Sequence, residues 1–122
     1  MKTILIADDD KNLALLYEQE LTDEGYRVKV VYDARQAIKQ VEQNPPDLLI
    51  LDIRMPGMDG IEALGHILGK NNRLPVILNT AYTNYKDNFM TWSADAYVVK
   101  TSDLSELKNT IAEVLKRRES EG

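Results

Sequence analysis

From Asp47 to Leu51 the chain reads Asp-Leu-Leu-Ile-Leu, apolar without alternation, and Asp52 follows at once. A strand with one wet face alternates; an unbroken apolar run suits a strand buried on both faces in the middle of a parallel sheet. Parallel neighbours need crossover connections, usually helices, so the rest of the chain is expected to supply strands and helices in alternation.

It does. Thr3–Ala7, Arg27–Tyr32, Pro75–Asn79 and Tyr97–Val99 read as four further strands. Leu13, Leu16, Tyr17 and Leu21 recur at helical spacing, closed by Gly25 as a C-terminal cap. Asp33 is placed to cap a second helix, with Gln36 after it and Ala34, Ala37, Ile38 and Val41 on one face, until Asn44-Pro45-Pro46 ends it. Asp59 caps a third helix bearing Ile61, Leu64 and Leu68, and a last one starts at Asp103, carries Leu104, Leu107, Ile111, Val114 and Leu115, and frays over Lys116–Glu119. Thr83–Ser93 is rich in weak helix formers and is expected to be a short fourth helix. Five strands joined this way imply right-handed crossovers and an α/β fold.

The 122 residues fit one domain, 1–122, with 117–122 a tail or the start of a linker. The charge of -5 argues against a nucleic-acid partner. No cysteine means no disulfide, thiolate nucleophile or cysteine zinc site. Apolar runs of four residues, such as Ile4–Ala7, fall far short of the roughly 20 that span a bilayer. No membrane association is expected.

In an open parallel sheet, ligands bind beyond the carboxyl ends of the strands. Asp8 and Asp9 follow the first strand, Asp52 the third, Thr80 the fourth and Lys100 the fifth, so all five project from one edge. Three gathered carboxylates repel one another unless compensated. A hard divalent cation such as magnesium would compensate them, and so would the Lys100 ammonium. Cation, lysine and the Thr80 hydroxyl together make a receptor for a phosphoryl group, and a carboxylate with a free oxygen can accept that group. A dinucleotide site is excluded: it needs a glycine-rich turn after the first strand, where three aspartates stand.

Ile4-Leu-Ile-Ala-Asp-Asp-Asp10, Pro46-Asp-Leu-Leu-Ile-Leu-Asp-Ile-Arg-Met-Pro-Gly-Met-Asp-Gly60, Asn79-Thr-Ala81 and Ala94-Asp-Ala-Tyr-Val-Val-Lys100 occur in this order. Through them the chain, from residue 2 to about 117, resembles a bacterial two-component response-regulator receiver domain of the chemotaxis-regulator kind. The resemblance implies a flavodoxin-like three-layer sandwich, its five-stranded sheet ordered 2-1-3-4-5 and flanked by five helices. It implies Asp52 as phosphoacceptor and Asp8, Asp9, Asp52 and the Arg54 main-chain carbonyl around Mg2+, for which Mn2+ would substitute. Lys100 and Thr80 would hold the phosphoryl oxygens, and Thr80 and Tyr97 would form the switch. The donor would be a phosphohistidine on a sensor histidine kinase or histidine phosphotransfer protein. The face of the fourth helix, fifth strand and fifth helix would meet a downstream partner or a second copy. The setting implied is cytoplasmic, and the protein a signalling module rather than a dedicated hydrolase.

Three positions depart from the family pattern: Thr101 stands in place of the usual proline, Ser93 in place of a glycine, and Asn79 in place of an apolar residue. A trans bond is expected before Thr101. An aspartyl-nucleophile phosphatase would need an acid two residues after Asp52, where Arg54 stands. Arg54 and Tyr82, each two residues past a site residue, are expected to obstruct the attacking water and lengthen the phosphorylated state. His66 is expected on the surface, Met55 and Met58 in packing, and Lys116-Arg117-Arg118 in solvent. Trp92 and Phe89 are either core or an exposed patch.

Overall fold

The computed structural model describes residues 1–83 and 88–121, apart from the side chains of residues 89, 90 and 121. Its elements are β1 (Thr3–Ala7), α1 (Lys11–Asp23), β2 (Arg27–Val31), α2 (Ala34–Gln43), β3 (Leu48–Leu51), α3 (Gly60–Lys70), β4 (Val76–Thr80), a 3-10 helix (Phe89–Ser93), β5 (Ala96–Val99) and α4 (Ser105–Glu121). The five strands form one parallel sheet in the order β2-β1-β3-β4-β5.

Alternate side chains of a strand point to opposite faces, and the core divides accordingly. Leu5, Leu49, Leu51, Val76 and Leu78 join Ala37 and Val41 of α2 and Leu64 and Ile67 of α3. Ile4, Ile6, Leu48, Ile50 and Ile77 join Tyr17 and Leu21 of α1 and Leu107, Ile111 and Val114 of α4. β3 is buried along its whole length, because helices cover it from both sides. Met55 is buried and Met58 packs beside it.

Aspartates start three of the helices. Asp10 accepts from the Leu13 N–H at 3.1 Å, Asp33 from Gln36 at 2.8 Å and Asp59 from Glu62 at 2.8 Å. Each meets an otherwise unpaired N–H of a first turn. Gly25 ends α1 with φ of 98°, a conformation that needs no Cβ.

Two expectations need correction. Among the described residues there are four α-helices, not five. Residues 84–87 of the expected fourth helix lie outside the described part, and its end is a 3-10 turn. There the Thr91 N–H and hydroxyl both bond the Asn88 carbonyl, at 2.9 and 2.7 Å, which favours the tighter three-residue repeat. Arg118 is not a solvated helix end. Its guanidinium donates twice to Asp95, at 2.8 and 3.0 Å, and Asp95 also accepts from the Val76 N–H. Tethered this way, the helix continues through Arg117 to Glu121 instead of fraying at Lys116.

Candidate functional site

The sheet's hydrogen-bond ladder runs one residue past three strands and so fixes where their loops depart. The N–H of Asp8 donates to Val31 at 3.1 Å, that of Asp52 to Ala7 at 3.0 Å, and that of Lys100 to Thr80 at 2.7 Å. Asp8, Asp52 and Lys100 are thereby set side by side at the carboxyl edge, as their sequence positions suggested.

Lys100 is the centre of the cluster. Its Nζ lies 2.8 Å from Asp8 Oδ2 and 2.9 Å from Asp52 Oδ2. Asp8 and Asp52 are buried, at 2% and 6% exposure, while Asp9 is open to solvent. Burial pushes the Asp52 carboxyl above its ordinary range; Lys100 draws it back, and the Asp8 charge pushes it up again. Burial also opposes the charge on Lys100, but its bonds to Asp8 and Asp52 outweigh this and hold the ammonium on more firmly than usual. One ammonium thus serves two buried acids and leaves Asp52 undercompensated.

Asp8, Asp9 and Asp52 each offer a carboxylate oxygen within 4.8 Å of the others. An all-oxygen, net-negative donor set of this kind fits a hard divalent cation.

The other expected residues lie around this centre. Thr80 is fully buried, and its Oγ1 accepts weakly from the Tyr82 N–H at 3.4 Å. Tyr97 donates from its hydroxyl to the Tyr82 carbonyl at 2.6 Å. The Arg54 guanidinium stacks 4.5 Å from the centre of the Tyr82 ring, within cation–π range. Arg54 and Tyr82 therefore join the loops after β3 and β4. His66 stands apart on α3, exposed beside Glu62.

A match to the response regulator receiver domain model spans residues 4–112. The chain belongs to this family. The receiver is 35% identical over 120 residues to the response regulator ArlR of Staphylococcus saprophyticus, covering 97% of this chain and 54% of ArlR. It spans about half the length of the curated relatives it matches. Among solved structures it is similar to the response regulator TrrA of Thermotoga maritima in complex with Mg2+-BeF (TM-score 0.91, 39% identity, 93% of this chain and 99% of that one). It is also similar to TrrA in complex with the histidine kinase ThkA (TM-score 0.89, 40% identity, 94% and 99%).

At the family's departures, the described residues contain no cis peptide and no positive φ outside glycine, so Thr101 follows a trans bond and Ser93 is unstrained. Asn79 is buried and donates from its side chain to the Tyr17 hydroxyl at 3.1 Å. An asparagine in an apolar strand signals a hydrogen bond near the site, as found; Tyr17, placed in the sequence only by its helical spacing, could not be identified as its partner. Sequence reading also passed over Gly60. A Cβ there would lie 2.0 Å from the Asp52 carbonyl oxygen, so only glycine lets α3 begin against the residue that carries the site. Of the two undecided aromatics, Trp92 is 75% exposed, while the side chain of Phe89 lies outside the described part. No described helix is long and apolar enough to cross a membrane.

Proposed function

We propose that this receiver is the phosphoacceptor of a two-component relay, taking a phosphoryl group on Asp52 from a phosphohistidine of a sensor kinase or histidine phosphotransfer protein. The observation that carries this reading is the Lys100 ammonium held between Asp52 and Asp8 beside a third acid, Asp9. The kinase complex of TrrA supports the choice of donor.

In the transfer, an Asp52 oxygen attacks phosphorus, the P–N bond to the donor imidazole breaks, and the ring nitrogen leaves with the bonding pair. Asp8, Asp9, Asp52 and the Arg54 carbonyl would hold Mg2+, with Mn2+ able to substitute. When bound, the cation supplies positive charge against the phosphoryl oxygens. Lys100 stays protonated and exchanges a carboxylate oxygen for a phosphoryl oxygen. Thr80 donates its hydroxyl to another oxygen, and burial keeps bulk water from the Asp52 side. The module assists its own dephosphorylation but is not a dedicated hydrolase.

The new group brings roughly -1.5 to -2 charge. Thr80 moves toward it, and Tyr82, whose main chain bonds both Thr80 and Tyr97, relays the movement to Tyr97. The surface of the 3-10 helix, β5 and α4 then changes its preference for a downstream protein, an output domain or a second copy. Arg54 stacked on Tyr82 shields the acyl phosphate and lengthens its life. The same reading takes residues 1–122 as a single cytoplasmic domain and a flavodoxin-like three-layer sandwich, which the division of the core supports.

Acetyl phosphate or beryllofluoride with Mg2+ is expected to shift the amide signals of Thr80, Tyr82, Tyr97 and β5, and Asp52→Asn to abolish the shifts. A wild-type spectrum that does not change would refute the reading.

A further inference from the structure

Tyr17 and Asn79 are polar groups in a place built for apolar ones. Both are almost fully buried, at 1% and 2% exposure, in the core between the sheet, α1 and α4. A buried amide or phenol left without a partner is costly, so the 3.1 Å bond between them is what makes either tolerable. The pair therefore has to be explained as a unit.

Its position offers the explanation. Asn79 precedes Thr80, and the Thr80 carbonyl accepts from the Lys100 N–H at 2.7 Å. Across the sheet, Asn79 is in register with Val98 and Thr80 with Val99, the two residues before Lys100. Tyr17, Asn79 and Lys100 border one small cavity together with Thr101, with room for about one water. Burial raises the pKa of the Tyr17 phenol, and it lies near enough to Lys100, Asp8 and Asp52 to feel their charges. The pair thus ties α1 to the end of β4, the strand whose last carbonyl holds the Lys100 main chain.

We infer that Tyr17 and Asn79 are positioning residues for Lys100: their hydrogen bond holds the end of β4, to which the Lys100 main chain is bonded, and one wall of the cavity they share with the lysine, so that its ammonium stays aimed at Asp52 and at the phosphoryl group arriving there. This rests on the reading of Asp52 as phosphoacceptor. Neither residue touches the transferred group. They act on the lysine, which has to move from a carboxylate to a phosphoryl oxygen without leaving the site.

The test is phosphorylation of the whole chain by acetyl phosphate in saturating Mg2+, comparing wild type with Tyr17→Phe, Asn79→Leu and the double variant. Tyr17→Phe removes one oxygen, and the double variant restores an apolar pair, so at least two of the three keep the fold. Each single variant is expected to lower the saturating rate about 5-fold, the scale of one net hydrogen bond. The half-saturating concentrations of donor and of Mg2+ should stay at their wild-type values, since neither residue touches them. The double variant should be no slower than the slower single one. In a Lys100→Met background Tyr17→Phe should cost nothing more, because the group it positions is gone. Wild-type rates in both single variants would overturn the inference, and so would the same 5-fold loss persisting without Lys100, which would mark a merely structural role. Equal phosphoryl uptake by wild type and Asp52→Asn would instead remove the Asp52 reading, and this inference with it.

Discussion

Removing the charge of Lys100 while keeping its stem, as in Lys100→Met, tests the electrostatics of the site most directly. Two buried carboxylates, 2.8 and 2.9 Å from the lost ammonium, would face each other without a cation. They have two ways out: stay charged in a poorly solvated place, or share a proton. The second sets a ceiling on the cost. Protonating a carboxyl whose unfolded pKa is about 3.9 costs about 1.36 kcal/mol for each pH unit above that value, or about 4 kcal/mol at pH 7. Asp52 already bears some of this strain in the wild type, since burial raises its pKa even beside Lys100. The expected loss at pH 7 without divalent cations is therefore about 2–4 kcal/mol, in line with the roughly 3–5 kcal/mol for breaking a buried pair. For 122 residues that corresponds to a melting temperature lower by roughly 8–15 °C.

The sign of the pH dependence follows. A carboxyl whose folded pKa is raised costs stability as pH climbs from the unfolded pKa toward the folded one. The deficit of the variant should therefore shrink on acidification, to at most about 1.5 kcal/mol at pH 5. Lys100, whose own pKa is raised, stays charged in the wild type throughout this range. Mg2+ should narrow the gap, because the lysine no longer competes for the same oxygens; a cation at 100 times its dissociation constant adds about 2.7 kcal/mol. Thermal melts at pH 5 and 7, in EDTA and in Mg2+, read all of this. A deficit equal at both pH values, or a Mg2+ stabilisation no larger than that of the wild type, would refute the reasoning.

Arg54→Ala and Tyr82→Ala should each speed loss of the phosphoryl group about 2–5-fold, the worth of an exposed cation–π contact, as followed by decay of the NMR shifts after donor removal. Gly60→Ala should cost at least about 1–3 kcal/mol in urea unfolding and weaken Mg2+ binding, because the new methyl has to displace the Asp52 main chain. Arg118→Ala should destabilise by roughly 1–3 kcal/mol, since Asp95 loses two donors while still bonded to Val76, yet leave the Mg2+ affinity at its wild-type value.

The sequence by itself determined the α/β class, the run of strands and most helices, and the aspartates that cap them, because period, burial pattern and caps are local properties. It also placed the candidate residues Asp8, Asp9, Asp52, Thr80 and Lys100 at one edge of the sheet. Residues that follow parallel strands must gather at the sheet's carboxyl edge, whatever their side chains do afterwards. Tertiary structure alone decided which groups touch. That Lys100 bridges Asp8 and Asp52, that Asn79 finds Tyr17 62 positions away, and that Arg118 closes on Asp95 are matters of register and packing between distant segments, which no local pattern encodes. The same holds for Gly60, whose need to be glycine comes from a carbonyl of another loop. Where the sequence erred, the fourth helix had weak local propensity, and the end of the last helix had a partner 23 positions away in Asp95. A shared carbonyl at Asn88 and a half-buried acid at Asp95 settled what the local pattern had left open.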